Sequence, residues 1–205
     1  KILSDVLTSK EAKERNDKRI IKSVWKLLNE ADIVIAHNGD KFDLKKLKAR
    51  FLSNGFVPPM PYKTIDTLKV ARKEFALTSN KQDYITKFLG LEQKLETDFQ
   101  LWVDCMNGDR KALKEMEEYN KHDIMGLEQM YLKLRPYIKN HPNIAVMMDK
   151  NVCSVCGSNS IKKHKKKYYT GASAYDVYYC TSCYSPHIRG KSNTLETNVA
   201  YRSAT

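Results

Sequence analysis

Asp43 lies where a side chain of an α/β protein could bind a ligand. The apolar run Ile33–Ala36 stands between two segments with helical periodicity, which predicts a buried strand. The run stops at the polar turn 37–39, and Asp43 begins the next helical pattern. Ligands of open α/β sheets bind outside the carboxyl ends of the strands, so Asp43 is a candidate functional residue. The alternative is that Asp43 only caps the following helix.

A second candidate carboxylate lies in the long helical pattern of residues 109–134. Tyr119 and Asp123 are four residues apart, so both point from one face of this predicted helix. An ionised aspartate beside an apolar stripe is costly unless it is paired or bound to a metal, which favours a functional Asp123. Tyr119 alone is typical of a core aromatic residue. Asp43 and Asp123 could share Mg²⁺ or Mn²⁺, and two-metal sites serve phosphodiester hydrolysis.

Four cysteines have the spacing of a structural zinc site. One Cys-x-x-Cys pair is separated from the next by 23 residues, and the members are Cys153, Cys156, Cys180 and Cys183. This pattern predicts one Zn²⁺ held by four thiolates. Disulfides are the alternative, but the sequence shows no secretory signal. Tyrosine-rich segments on both sides of Gly171 predict a hairpin too small to bury a core, so zinc is expected to hold it together.

The predicted zinc module carries a basic run with two neighbouring tyrosines. Lysines can neutralise phosphates and tyrosines can stack on bases, as expected of single-strand binding. The candidate nucleic-acid-binding residues are Lys162, Lys163, Lys165, Lys166, Lys167, Tyr168 and Tyr169. The formal net charge of the whole chain, +12, also favours a polyanionic partner. A solvated charge run is the alternative.

The remaining pattern predicts an α/β domain followed by the small module. Helices and strands alternate up to Gly90, with Ser79 as the predicted cap of the third helix. Asp66, on a predicted strand, is expected to hydrogen-bond backbone groups. We expect an α/β domain over 1–139, a linker over 140–150, the zinc module over 151–191 and a loose tail over 192–205. No apolar run reaches membrane-spanning length, so we expect a cytoplasmic protein with no membrane partner.

The two aspartate segments, in this order, resemble motifs of a known enzyme family. Asn38-Gly-Asp-Lys-Phe-Asp43 resembles the second motif of the DnaQ-like 3′–5′ exonucleases, which have the ribonuclease H fold. Tyr119-Asn-Lys-His-Asp123 resembles their third motif in its Tyr-x-x-x-Asp variant, the DEDDy type. The histidine variant would need His in place of Glu118. The likeness covers roughly residues 20–190 and extends to phage-type members that carry a C-terminal zinc ribbon.

The resemblance implies a fold, a cofactor set and a substrate. The fold is an α/β, ribonuclease-H-like exonuclease fold without its N-terminal strands, plus a small C-terminal zinc ribbon. Asp43 and Asp123 would bind two Mg²⁺ or Mn²⁺ ions, and Tyr119 would orient the attacking water. The implied partner is nucleic acid, namely DNA with a single-stranded 3′ end, met in the host cytoplasm if the protein is phage-encoded.

The family's first motif, Asp-x-Glu, is missing. It supplies two of four carboxylates and occurs nowhere in this chain, which starts at Lys1 near the family's third strand. Three explanations stay open. The first is that the chain is truncated and an upstream segment carries the motif, the second that it is one half of a split exonuclease whose second chain supplies the motif, and the third that it is a non-catalytic nucleic-acid-binding or replisome-interaction protein. A zinc-ribbon adaptor that only mediates protein contacts is a further alternative.

Overall fold

Residues 1–91, 97–171 and 173–188 are described in a computed structural model. The chain divides into two units, Lys1–Leu134 and Arg135–Thr205. The predicted tail, 192–205, lies outside the described residues. Within the described ranges, no helix combines the length and apolar character needed to cross a membrane.

The first unit alternates helices with two short strands. Its elements are α1 (Ser9–Lys13), α2 (Lys18–Glu30), β1 (Ile33–Ala36), α3 (Asp43–Ser53), β2 (Lys63–Asp66), α4 (Thr67–Glu74), α5 (Gln82–Phe88), α6 (Phe99–Met106) and α7 (Arg110–Leu134). Strands β1 and β2 pair in parallel, with Ile33 opposite Lys63 and Ala36 opposite Asp66. Both strands therefore end at the same edge. The predicted strand at 33–36 and the predicted long helix ending at 134 are confirmed.

Two apolar clusters hold the helices of this unit. One joins α2 to α3 through Ile21, Leu28, Leu44 and Phe51. The other joins α4, α5 and α7 through Ala71, Ile85, Met130 and Leu134. Ile85 and Met130 are almost completely buried, and burial of such a side chain contributes about 1.5–3 kcal/mol. The second cluster therefore fixes α7, which carries Asp123, against α4 and α5.

The predicted start of α7, at residue 109, agrees with the structure, whereas the predicted start of α5 does not. Asp109 caps α7, because the Ala112 backbone N–H donates to its Oδ1 at 2.8 Å. The prediction that Ser79 caps the third helix is wrong. Helix α5 begins at Gln82, and Ser79 Oγ instead accepts from the Lys81 N–H at 3.4 Å in the preceding loop.

The second unit is a three-stranded antiparallel sheet with a short helix before it. Its elements are a 3₁₀ turn (Arg135–Tyr137), α8 (Ile144–Met147), β3 (Ile161–Tyr169), β4 (Ala174–Cys180) and β5 (Pro186–Ile188), with the strand order β3-β4-β5. The hairpin predicted around Gly171 is confirmed by β3 and β4. The range assigned to a linker, 140–150, contains α8, and the Ile144 N–H donates to the Ser154 carbonyl at 2.8 Å.

Substitution by alanine should have opposite effects on stability at Gly39 and at Gly126. A Cβ at Gly39 would lie 2.4 Å from Ala36 Cβ, so Gly39→Ala must displace the turn after β1. We expect it to lower the free energy of unfolding by about 1–3 kcal/mol. A Cβ at Gly126, inside α7, would meet its nearest atoms at 3.9 Å. Gly126→Ala should therefore raise that free energy by up to about 1 kcal/mol, through helix propensity.

Urea unfolding followed by circular dichroism measures both changes. Because both glycines lie in the first unit, each variant serves as the control for the other. Destabilisation of similar size in the two variants would contradict the crowding at Gly39.

Candidate functional site

Asp66 holds the turn that follows β1. Its side chain is 5% exposed at the end of β2. Oδ1 accepts from the Asn38 N–H at 2.9 Å and from the Leu68 N–H at 3.0 Å, and Oδ2 accepts from the Asp40 N–H at 3.3 Å. Asn38 has φ +63°, a left-handed conformation that asparagine tolerates. Asp66 thus caps α4 and shapes the turn, which confirms the predicted backbone role.

Asp43 projects its carboxylate beside this turn. It is the first residue of α3, Phe42 occupies the cap position, and Asp43 is exposed. Its Oδ2 lies 3.8 Å from where a Cβ on Gly39 would stand. Within the described part of the chain, the Asp43 carboxylate makes no hydrogen bond or ion pair, so it does not cap α3 through its side chain. The positive end of the α3 dipole favours its negative charge.

Tyr119 and Asp123 lie one turn apart on α7. Tyr119 is buried, with 8% of its surface exposed, whereas Asp123 is half-buried. Gln82 of α5 donates through Nε2 to the backbone carbonyl of Asp123 at 3.0 Å. Helix α5 therefore packs against the turn of α7 that carries Asp123. Burial of Tyr119 agrees with a core position and leaves a role for its hydroxyl as a prediction.

Hydrogen bonds connect the end of β1 to the loop before α5. His37 Nε2 lies 3.0 Å from the Asn80 carbonyl, which can only accept, so Nε2 carries the hydrogen. His37 Nδ1 lies 3.0 Å from Thr67 Oγ1. Two residues after Asn80, Gln82 reaches the backbone of Asp123. The same loop is thus tied to the strand end and leads to the Asp123 turn.

His37 and Asn80 were not among the residues that the sequence singled out. His37 had a usable signal, since it is the first polar residue after an apolar strand. Asn80 had none, because it acts through its backbone carbonyl. The shortfall at this site concerns ligands: in the described ranges, neither Asp43 nor Asp123 belongs to a cluster of three or more His, Cys, Asp or Glu groups. Their oxygens suit Mg²⁺ or Mn²⁺, but two carboxylates leave the coordination incomplete.

The four predicted zinc ligands do meet. The Sγ atoms of Cys153, Cys156, Cys180 and Cys183 all lie within 4.8 Å of one another. Cys153 and Cys183 are 3.6 Å apart, and Cys156 and Cys180 are 3.7 Å apart. A tetrahedral ion with Zn–S bonds of about 2.3 Å requires sulfur–sulfur distances of about 3.8 Å. A disulfide would require about 2.05 Å, so the geometry fits a cation and not disulfides.

Both cysteine pairs are shaped by the same backbone turn. The Gly157 N–H donates to the Cys153 carbonyl and the Tyr184 N–H to the Cys180 carbonyl, each at 2.9 Å. Gly157 and Tyr184 have φ +74° and +60°. The two turns therefore present their sulfurs in the same way, and the Gly157 conformation explains the glycine after the second cysteine.

Ionisation of all four thiols of the cluster is unfavourable unless a cation is bound. Burial raises the pKa of the Cys156 thiol to about 12. Burial also opposes ionisation of Cys180, but backbone N–H groups of Cys183 and Ser182 lower its pKa to about 7. Four thiolates together would repel one another. A bound metal removes this conflict, because it deprotonates coordinating thiols. The cluster can therefore hold a zinc ion.

The basic run lies on the exposed strand β3. Lys163 Nζ pairs with Asp176 Oδ2 of β4 at 2.7 Å, which raises the pKa of Lys163 and lowers that of Asp176. The other lysines of the run, Lys162, Lys165, Lys166 and Lys167, make no ion pair with any described residue. The pairing of β3 with β4 is irregular between Lys163 and Lys167. Tyr168 and Tyr169 are 51% and 65% exposed, so their rings are accessible.

Comparison with known proteins adds a family match. The RNase_H_2 family model, which describes an RNase_H superfamily domain, matches residues 4–135. This is more than half of the chain and includes Asp43, Tyr119 and Asp123. No protein with a curated description matches the sequence.

His37 predicts a pH dependence of stability. Burial lowers its pKa below the usual value of about 6.5, and Arg72 acts in the same direction, against the Asn80 carbonyl and Asp66. The unfolded chain then binds a proton more readily than the folded chain. The free energy of unfolding should therefore be highest above pH 6.5 and fall as the pH drops toward the folded pKa.

An NMR titration of the His37 imidazole gives the folded pKa, and urea unfolding across this range gives the slope. In the His37→Gln variant, we expect the free energy of unfolding to lose the part of its pH dependence that His37 causes. A folded pKa of 6.5 or higher would contradict the effect of burial.

The cysteine cluster predicts one zinc ion per chain. The buried cluster of the second unit consists of Cys153, Val155, Cys180 and Cys183, so the ligands are also its core. Cys156→Ser should weaken zinc binding by at least about tenfold and loosen the sheet of this unit. Native mass spectrometry measures the bound zinc. Cys105→Ser, in the first unit, is the matched control and should keep its zinc; equal retention of zinc by both variants across a titration with a competing chelator would rule out the site.

Proposed function

Because the chain belongs to the RNase H superfamily, whose domains are generally hydrolytic nucleases that act on nucleic acid, we propose that it is a metal-dependent 3′–5′ exonuclease of the DnaQ-like, DEDDy type. The observation that carries this proposal is that the Asp43 carboxylate, just beyond the turn after β1, has no partner among the described residues, together with Tyr119 and Asp123 on one face of α7. The proposed substrate is DNA with a single-stranded 3′ end.

Each of the three residues receives a role. Asp43 and Asp123 offer carboxylate oxygens as ligands, and the Tyr119 hydroxyl orients the attacking water toward the terminal phosphate. Two Mg²⁺ or Mn²⁺ ions, when bound, lower the pKa of that water and stabilise charge on the attacking and leaving oxygens. The tie between the Asn80 loop and both the strand end and α7 restrains the elements that carry these residues.

The remaining carboxylates must come from elsewhere. We attribute them to an Asp-x-Glu motif in an upstream segment or in a second chain. Within the described residues, β1 pairs with β2 alone, and its four apolar residues are all half-exposed. Another strand could pair with the backbone of β1 on the side away from β2, flank these side chains and bring its own residues to the edge where Asp43 lies.

The second unit is proposed to be a zinc ribbon that assists nucleic-acid binding. The cysteine cluster would hold one structural zinc ion, and β3 would present its lysines to phosphates and its tyrosines to bases. The ribbon has no catalytic role in this proposal.

An alternative function is supported by the same shortfall of ligands. The chain contains no Asp-x-Glu, and its described residues form no carboxylate cluster. A non-catalytic nucleic-acid-binding or replisome-interaction protein, derived from an exonuclease, would have these properties. One half of a split exonuclease would have them as well.

A 5′-labelled single-stranded oligonucleotide with Mn²⁺ or Mg²⁺ tests the proposal. The chain should be assayed alone and in the longest protein or complex that contains it. We expect a ladder of 3′-shortened products once Asp-x-Glu is supplied, and binding without digestion by the chain alone. Asp43→Asn and Asp123→Asn should slow digestion at least about 100-fold, because each removes a metal ligand.

Asp32→Asn is the matched control, since Asp32 is exposed and lies at the opposite end of β1. It should digest at the wild-type rate, and a chelator should stop all digestion. Digestion from the 5′ end, or a ladder that survives Asp123→Asn, would refute the assignment. Binding without digestion by the complete protein would favour the non-catalytic alternative.

A further inference from the structure

The second unit contains a cavity beside the basic strand. Its volume is about 460 Å³, within the roughly 300–1,000 Å³ of small-ligand sites. Tyr168 of β3, Val177 of β4 and Pro186 of β5 line one side of it. The register of the sheet aligns Tyr168 with Tyr175 and Tyr179 with Pro186, which places all of these residues on one face.

The other side of the cavity is made by the segment that opens the unit. Tyr137 and Ile138 contribute an aromatic and an apolar wall, and Lys139 and His141 contribute polar groups. Tyr137 is 58% exposed and Tyr168 is 51% exposed, so both rings remain accessible. Tyr168 also contacts the Tyr175 ring, at 6.4 Å between centroids, which restricts its orientation.

The lining matches the chemistry of one ligand class. Accessible aromatic rings with apolar neighbours favour a flat, unsaturated ring. Ser154 and His187 also line the cavity, with Ser154 Oγ 3.2 Å from His187 Nδ1. These polar groups can form hydrogen bonds with the polar edge of such a ring. The lysines that precede Tyr168 on β3 favour an attached anion. A nucleobase on a phosphodiester backbone combines these three properties.

Continuity with β3 sets how the ligand would enter. Tyr168 directly follows Lys165, Lys166 and Lys167, which make no ion pair with described residues. A strand whose phosphates lie along these lysines would carry its bases past Tyr168 at the mouth of the cavity. Base–aromatic stacking is the usual source of affinity for unpaired nucleotides beyond the backbone charge.

We propose that this cavity binds one unpaired nucleobase of a single strand held by β3, with Tyr137 and Tyr168 as its aromatic contacts. The inference rests on the proposed nucleic-acid binding by β3. It adds that the second unit contacts bases as well as phosphates. It makes the second unit a binder of unpaired strands and not of duplexes, whose bases are stacked and paired.

Two oligonucleotides of equal length test the inference by fluorescence anisotropy. One carries all its bases, and the other has abasic sugars on an intact phosphate backbone. We expect the full chain, loaded with zinc, to bind the base-bearing strand about tenfold or more tightly than the abasic strand. Tyr137→Ala and Tyr168→Ala should bring this ratio toward one and leave the affinity for the abasic strand nearly unchanged.

Two further variants separate the causes of failure. Tyr184→Asn removes a more exposed tyrosine that does not line the cavity, keeps a residue that tolerates positive φ, and should retain the wild-type ratio. Replacing Lys165, Lys166 and Lys167 by Gln should weaken binding of both strands and reduce the slope of log affinity against log salt by about two. Zinc content and circular dichroism confirm that each variant is folded.

The outcomes are distinct. Equal affinity for both strands, with the lysine dependence retained, would overturn the base site and leave the nucleic-acid role of β3 intact. If the lysine variant kept both its affinity and its salt dependence, the nucleic-acid role of β3 would be overturned and the base site with it. A ratio that falls equally in Tyr184→Asn would also overturn the cavity as the cause.

Discussion

A single buried carboxylate organises the edge of the sheet on which the candidate site depends. Asp66 accepts from three backbone N–H groups, two in the turn after β1 and one at the start of α4. Each of these donors would otherwise need a partner at a point where strand and helix ladders have ended. Because both β1 and β2 end here, one side chain sets the path from the first strand to α3 and from the second to α4. The orientation of Asp43 follows from this turn.

The parts of the fold that the sequence predicted are those with local causes. Ile33–Ala36 is apolar and short, the stripe of α7 repeats over many turns, and two Cys-x-x-Cys turns impose their own geometry. The prediction that Ser79 caps a helix was wrong because the loop before α5 is held by the hydrogen bond between His37 and the Asn80 carbonyl, which no local pattern reveals. The position of His37 after an apolar strand was a usable signal, but its partners Asn80 and Thr67 are distant in sequence and no local pattern reveals them. Asp66 was predictable in kind, as a strand-end carboxylate, but not in its three partners.

The two candidate metal sites differ in how much of each this chain supplies. The cysteine site draws its four ligands from two turns of the same type, each closed by the same backbone hydrogen bond, so a small unit can assemble it completely. The carboxylate site draws Asp43 and Asp123 from α3 and α7, whose placement relies on the apolar clusters of the first unit. One Mg²⁺ ion is ordinarily bound by one or two carboxylates together with waters and substrate phosphates, so Asp43 and Asp123 would have to be shared between the two ions of the proposed mechanism. In the proposed chemistry, the Asp-x-Glu motif of a further strand would supply the additional carboxylates for these ions.

Charge on β3 also bears on how the two units could act together. The ion pair between Lys163 and Asp176 joins β3 to β4, so Lys163 contributes less to attraction of phosphates than its position suggests. Lys165 and Lys166 make no ion pair with any described residue, and Lys167 lies opposite Asp176 without a direct ion pair to it. A strand bound there raises the effective concentration of its end at a site in the same chain, whatever the arrangement of the units, provided that the strand can span them. Weak binding of the incomplete carboxylate site to its substrate would matter less under that condition. Because the proposed lysine contacts would release counterions, this benefit would decline steeply as salt rises.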